Sequence, residues 1–229
     1  MEAIRITQVL DYFIEPGLVE WKMRVGKKES NLISKRAMAI GTRVDEIIKT
    51  GGLYKWNSKD SKEVENCVVA FCKWKEIYEP KSITPCTRLY ATINGVDVTG
   101  EPDLMVDDVL VDLKCSSKIN LKYWVQVNMY RYLELYAPKI VTVNSSGVLA
   151  NTTVTTNTDY YNSPTQKVGI LRLDKVTASY EYVVQDYNSK FVDAWIGMMG
   201  AYLLFNQEEL NASDDGVNVR EGNRKEELA

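Results

Sequence analysis

Four side chains in the stretch Thr99 to Ser116, TGEPDLMVDDVLVDLKCS, could do chemistry together: Glu101, Asp103, Asp112 and Lys114. Asp107 and Asp108 are turn-favouring residues between two apolar, strand-forming runs, so a two-residue connection pairs Val106 with Val109. Counting back from that turn, Leu104 faces Val111, Asp103 faces Asp112 and Glu101 faces Lys114. Side chains alternate along a strand, so the four polar residues share one face, while Leu104, Val106, Val109, Val111 and Leu113 share the other. One face is then core and the other a site. Two carboxylates directly opposite, with Cβ atoms about 5 Å apart, repel unless positive charge lies between them. A divalent cation supplies it: Asp103 and Asp112 are hard oxygen ligands of the kind Mg²⁺ takes, with Lys114 beside them to orient water. The competing reading is a solvent-facing strand of mixed charge. Glu20-Trp21-Lys22 and Asp60-Ser61-Lys62 have the same acid-x-lysine form, but lack the Pro-Asp and the apolar alternation that make a strand pair.

The elements that must hold these residues follow from periodicity. Ile6 to Gly26 reads as helical, with Thr7 as cap, a break at Pro16-Gly17 and Trp21 as a packing anchor. Asn31 to Thr50 reads as a long helix, capped by Asn31 and stopped by Gly51-Gly52. Gly41 sits within it, where glycine costs about 1 kcal/mol relative to alanine, and close approach of another backbone would explain it. Leu53 to Glu79 reads as two helical pieces around a polar loop at Asn57 to Ser61. From Arg88 the period changes to two, and Asn94-Gly95 marks a hairpin joining Thr87–Ile93 to Val96 onward. The sheet then begins as an antiparallel meander ending in the strand of Asp112 and Lys114. Ile119 to Tyr136 forms an amphipathic helix on which Gln126 and Tyr130 share a face. Thr142 to Gln166 is a polar excursion, Lys167 to Val184 returns to strand alternation, and Ser189 to Asn206 closes with a helix. The tail from 211 to 229 is polar and charged, and disorder is expected there, leaving one domain over 1–210.

These motifs together resemble the PD-(D/E)xK nuclease superfamily, with Pro102-Asp103 as the first half and Asp112-Leu113-Lys114 as the second. Gly100-Glu101-Pro102-Asp103 and Gln126-Val127-Asn128-Met129-Tyr130 are similar to two further motifs of its RecB-like exonuclease branch. The branch's upstream Gly-x-x-x-His is represented by Gly41 with Asp45 in the histidine position, and the chain has no histidine. The resemblance implies an α/β fold with a restriction-endonuclease-like core, a mixed central β-sheet flanked by helices. It implies Mg²⁺ or Mn²⁺ held by Asp45, Asp103, Asp112 and the Leu113 carbonyl, with Lys114 as the catalytic lysine beside Asp112 and Asp103. Neighbours on a helix point about 100° apart, so Asp45 and Glu46 do not both ligate one ion. Asp45 is favoured, and Glu46 is the alternative because lambda-exonuclease-type relatives use a glutamate there. Gln126 and Tyr130 would position the substrate. Lys35, Arg36, Arg43, Lys118, Lys122 and Arg131 are candidate DNA contacts, with plain surface solvation the other reading. Glu101, opposite Lys114, reads either as its salt-bridge partner or as a further ligand, and one cross-strand pair does not decide between them.

Composition bounds the partners. A formal net charge of −3 gives no global attraction to nucleic acid, so DNA binding requires a local basic groove. Cys67, Cys72, Cys86 and Cys115 lack the close paired spacing of metal motifs, so neither an iron–sulfur cluster nor a disulfide framework is expected. No Gly-x-x-x-x-Gly-Lys loop occurs, so no nucleotide cofactor is expected and coupling to a helicase or recombination protein would require a partner chain. No apolar run has membrane-spanning length and no signal peptide opens the chain, so an intracellular, soluble protein is expected. The expected activity is exonucleolytic cleavage of single-stranded DNA ends or flaps in replication, recombination or repair. A structure-specific endonuclease or resolvase, and a non-catalytic nucleic-acid-binding module with a degenerate nuclease fold, are the alternatives.

Overall fold

The computed structural model describes residues 3–13, 15–50, 60–136 and 166–215. In chain order these form β1 (Ile4–Arg5), α1 (Ile6–Tyr12), α2 (Pro16–Val25), α3 (Lys27–Lys49), α4 (Lys62–Tyr78), β2 (Ile83–Pro85), β3 (Leu89–Ile93), β4 (Val96–Gly100), β5 (Leu104–Val106), β6 (Val109–Lys114), α5 (Leu121–Tyr136), β7 (Lys167–Leu173), β8 (Tyr180–Asp186) and α6 (Ser189–Asp215). The expected stop at Gly51-Gly52, the helical piece and most of the loop between Leu53 and Lys59, and nearly all of the Thr142–Gln166 excursion lie outside the described residues. Helix α6 runs to Asp215, past the expected start of the tail at 211.

The strands form two sheets rather than one meander. A five-stranded sheet has the order β2-β5-β6-β7-β8, with β6 and β7 parallel and the other pairs antiparallel. The Asn94-Gly95 hairpin is present, but β3 and β4 belong to a separate three-stranded sheet in which β4 runs parallel to β1. Both turn residues take left-handed backbone, φ 51° at Asn94 and 79° at Gly95, as a tight primed turn requires. The change of sheet falls at Glu101–Asp103. Pro102 cannot donate to a ladder, and the Asp103 carbonyl accepts instead from the Cys86 amide, just beyond β2.

Both faces of the large sheet are covered. Leu110, Val168 and Ile170 pack with α1, α5 and α6 through Val125, Met129, Leu133 and Trp195. Val109, Val111, Leu113, Leu171 and Leu173 pack with α3 and α4 through Val44, Ile47, Val64, Cys67 and Trp74. Trp74 and Trp195 are fully buried, so each face has a large aromatic anchor. This alters the expected division into a core face and a site face. The face carrying Asp112 is itself core as far as Leu110, and polar residues begin only where β6 runs out between α3 and α5. The structure is therefore an α/β fold, mixed sheets flanked by helices. Among the described residues, no helix is long and apolar enough to cross a membrane.

Local differences from the expected elements have plain causes. Helix α3 starts at Lys27, four residues before Asn31, because Gly26 at φ 88° makes the break from α2 and the following residues continue the helix. Thr7 lies inside α1, whose N-cap is Arg5. Trp21 is only half-buried, since α2 has no fully buried residue. Ser61 caps α4 by accepting from the Val64 amide.

Candidate active site

The hairpin that organises the site has the register its turn demands: Val106 opposite Val109, Met105 opposite Leu110 and Leu104 opposite Val111. Asp107 takes φ 53°, and its carboxylate accepts from the Ser82 amide at 2.9 Å, fastening the turn to the start of β2. The ladder ends at Leu104, so Asp103 is not a ladder partner of Asp112. Its carboxylate instead accepts from the Leu113 amide at 2.7 Å, which still holds it against the end of β6. Glu101 lies beyond the ladder altogether. It pairs with Arg88 at 2.8 Å and stands 4.0 Å from Lys49, so the expected Glu101–Lys114 pair is not made.

Lys114 pairs with Asp112 on its own strand, Nζ to Oδ2 at 2.6 Å, and its ammonium lies 4.9 Å from the centre of the Tyr123 ring. Gln126 donates to Asp112 Oδ1 at 3.3 Å and to the Tyr130 hydroxyl at 2.8 Å. The two α5 residues expected to share a face thus act in series on the buried acid. Helix α3 brings Asp45 to the same place. Lys49, one turn further on, lies 3.0 Å from Asp45 and 3.4 Å from Asp103.

Asp45, Asp103, Asp112, Leu113, Lys114, Tyr123 and Gln126 all line one open cavity of about 660 Å³. Glu46 does not line it, and its side chain is 60% exposed and paired with Arg43. Gly41 lines it too, and nothing stands within 4 Å of where its Cβ would be. The expected backbone contact at Gly41 is therefore absent, and its missing side chain leaves room in the cavity. Gly100 is the glycine that permits close packing. A Cβ there would lie 2.7 Å from the Tyr130 ring and 2.8 Å from Ile6 Cδ1. Gly100→Ala is expected to destabilise the fold by about 1–3 kcal/mol and to displace Tyr130 from Gln126, measured by denaturant unfolding. Unchanged stability would mean that the Tyr130 ring moves freely.

Six cations were expected as nucleic-acid contacts, and none of them lines the cavity. Arg131 is corrected outright, because it is buried and paired with Glu134 one turn away on α5. The Arg43 guanidinium is engaged by Asp60 at 2.9 Å and Glu46 at 2.9 Å, and Arg36 by Glu63 at 2.8 Å. Lys35 and Lys118 are exposed, and Lys122 is half-buried. Sequence reasoning missed Lys49 and Lys175. Lys49 is signalled only by its four-residue spacing from Asp45.

Burial, with Asp103 nearby, raises the Asp112 carboxyl to about 7, although Lys114 opposes the shift. Burial first and Asp103 second also raise Asp45. Burial disfavours the Lys114 and Lys49 ammonium groups, but the acids outweigh it and both are raised. A carboxyl raised on folding stabilises the fold fully below its unfolded value, and loses that contribution as pH rises through the folded value. For Asp112 the window runs from about 4 to about 7, and both lysines stay charged across it. With chelator present, the thermal midpoint is expected to fall between about pH 4 and about pH 7 and to level off above, and Asp112→Asn to flatten the decline. A flat wild-type profile would show that Asp112 is ionised throughout.

Two oxygens in the site are buried without a hydrogen-bond partner, Asp45 Oδ1 and Asp112 Oδ2. The latter faces Lys114 at 2.6 Å as a close charge contact without hydrogen-bond geometry. Among the described residues, no three acid, cysteine or histidine side chains stand close enough to enclose an ion as placed. The two lysine ammonium groups supply the countercharge instead. An all-oxygen donor set with the Asp45 Oδ1 oxygen left unpartnered nevertheless suits a hard dication in type.

The sequence matches no protein-family model and no curated protein. Solved structures do resemble it. A protein from Eubacterium rectale carrying an exonuclease assignment aligns over 99% of this chain and 91% of its own at TM-score 0.51 and 13% identity. An alkaline exonuclease from Laribacter hongkongensis aligns over 94% and 93% at TM-score 0.46 and 11% identity. Its complex with dAMP gives the same TM-score of 0.46 at 13% identity. At these identities the likeness is one of fold alone.

Proposed function

We propose that the protein is a metal-dependent nuclease of the RecB-like PD-(D/E)xK kind, hydrolysing DNA phosphodiesters from single-stranded ends or flaps. The observation that carries this reading is the convergence of Asp45, Asp103, Asp112 and Lys114 on one open cavity, with Asp45 Oδ1 buried and without a hydrogen-bond partner and Asp112 Oδ2 buried against the Lys114 ammonium alone. Asp45, Asp103, Asp112 and the Leu113 carbonyl would hold Mg²⁺ or Mn²⁺, which supplies Lewis acidity toward a phosphoryl oxygen and toward water. Glu46 is set aside as a ligand because it does not line the cavity and is paired with Arg43. Lys49 must leave Asp45 and Asp103 for an ion to take its place.

The remaining steps belong to the chain's own groups. Lys114, held by Asp112 and backed by the Tyr123 ring, donates to the attacking water and orients it against phosphorus. Gln126 fixes the direction of the Asp112 carboxylate, and Tyr130 fixes Gln126. The overall charge of −3 is no obstacle, because it is unevenly placed. Between Pro16 and Arg43 there are seven basic residues and two acidic ones. Among the described residues, Lys22, Arg24, Lys27, Lys28 and Lys35 form no ion pair, while Ala37, Met38, Gly41 and Thr42 carry α3 onto the cavity wall. That arm supplies the local attraction that the whole chain lacks.

The test is end-labelled single-stranded, duplex and flapped DNA, with Mg²⁺, Mn²⁺ or chelator, beside a circular single strand. Metal-dependent release of nucleotides from linear strands, with the circle intact, is expected. Cutting of the circle would favour the endonuclease alternative. Binding without cleavage under every metal would leave a non-catalytic module.

A further inference from the structure

We propose that the turn between β7 and β8 carries a phosphate-binding subsite built on Lys175, which holds a backbone phosphate of the substrate strand beside the one that is cut. This rests on the nucleic-acid reading of the cavity. Lys175 lines that cavity together with Cys115 and Ser116, next to Lys114. No ion pair involves Lys175 among the described residues, because the nearby acids are engaged. Glu63 feels the Lys175 charge, yet its carboxylate is held by Arg36 at 2.8 Å. Asp174 is occupied by Arg172 at 3.0 Å and by the turn amides of Val176 and Thr177 at 2.9 and 3.0 Å. The Lys175 charge also reaches the Cys115 thiol, which the Cys67 hydrogen bond and then Lys175 hold below its ordinary value against burial.

The turn is also fastened more thoroughly than a surface hairpin needs. Asn66 on α4 donates to the Lys175 carbonyl at 2.9 Å and to the Val176 carbonyl at 3.0 Å. Lys73 on the same helix donates to the Ala178 carbonyl at 3.1 Å. Arg172 ties the turn to the end of β6 through the Ser116 carbonyl at 3.3 Å. An ammonium with no acid partner among the described residues, on a pinned backbone and lining a cavity whose other basic residue, Lys114, is paired to Asp112, is suited to an anion from outside. A phosphodiester is the anion this cavity would receive, and a preset cation binds it with little ordering cost.

The experiment titrates a fluorescein-labelled single-stranded 20-mer by anisotropy in chelator, over a range of salt, alongside Mn²⁺-dependent cleavage. Lys175→Ala is expected to raise Kd about tenfold and to reduce the slope of log affinity against log salt by about 0.7. Lys175→Arg should restore both. Asn66→Ala, which frees the turn but keeps the charge, should weaken binding with the slope retained. Lys81→Ala removes one positive charge from an exposed position outside the cavity and should change neither quantity. Lys175→Ala behaving like Lys81→Ala overturns the subsite. A wild-type protein that binds the strand without cutting it overturns the nuclease reading, while the Kd and slope of Lys175→Ala still decide the subsite. A wild-type protein that does not bind the strand overturns both.

Discussion

Asp112→Asn is expected to reduce metal-dependent cleavage about a thousandfold or more, with the fold retained. Asp112 is 1% exposed and meets Lys114 at 2.6 Å and Gln126 at 3.3 Å, while the nearby Asp103 charge helps to raise its carboxyl. The amide keeps the shape and removes the charge. Folding should survive because the carboxyl is raised to about 7, so near neutrality the native state already tolerates a neutral group there. What is lost is an anionic oxygen for the dication, and mass action sets how that loss shows. Raising Mn²⁺ should recover part of the activity if Asp45 and Asp103 still hold an ion, and the metal midpoint of cleavage should move to higher concentration. Metal titrations of wild type and variant, read by cleavage and by calorimetry, test this. Full activity in Asp112→Asn at ordinary metal concentration would remove Asp112 from the site.

The hairpin was legible because its signals are local and agree. Asp107-Asp108 sits between two alternating runs, and the register Val106 to Val109 and Leu104 to Val111 follows from the turn alone. The Gln126 and Tyr130 pair was legible for the same reason, since four residues on a helix place two side chains on one face. Partners chosen across long separations were hidden. The alternation of Val96–Gly100 announces a strand but does not say that its other neighbour is a two-residue β1 running parallel to it. The meander expectation failed there, and the Glu101–Lys114 pair failed with it.

Glycine carried a different ambiguity. Gly41 suggests a close approach of another backbone yet lies beside empty cavity, while Gly100, which the sequence shows only as part of a motif, is the one packed against the Tyr130 ring. Only packing separates the two causes. Charge was similarly ambiguous on α5, where Arg131 reads as an exposed cation but is buried against Glu134. Lys49 and Lys175 escaped notice because neither belongs to a motif. One reaches the acids from a helix end and the other from a turn, and each matters through what the fold places around it.

Lys114→Met should separate the chemical step from the binding of metal and strand. The ammonium is held between Asp112 and the Tyr123 ring, close to where an attacking water would stand, and no described carboxylate depends on it for its backbone position. Methionine fills a similar volume without the donor, so cleavage should fall by about two to four orders of magnitude. Raising Mn²⁺ should not recover it, in contrast with Asp112→Asn, because the missing group is a hydrogen-bond donor that orients water rather than an oxygen ligand. Affinity for the single-stranded 20-mer in chelator at about pH 8, where Asp112 is ionised, should change by less than about threefold, since that carboxylate largely neutralises the charge removed. Lys114→Arg should rescue little, as a guanidinium stacks flat on Tyr123 and holds its donors in a fixed planar fork, where a compact ammonium can turn a donor toward the water. Single-turnover cleavage with enzyme in excess reads the chemical step directly. Loss of strand affinity in proportion to the loss of rate would make Lys114 a binding residue, and full activity in Lys114→Met would remove the end of β6 as the active site.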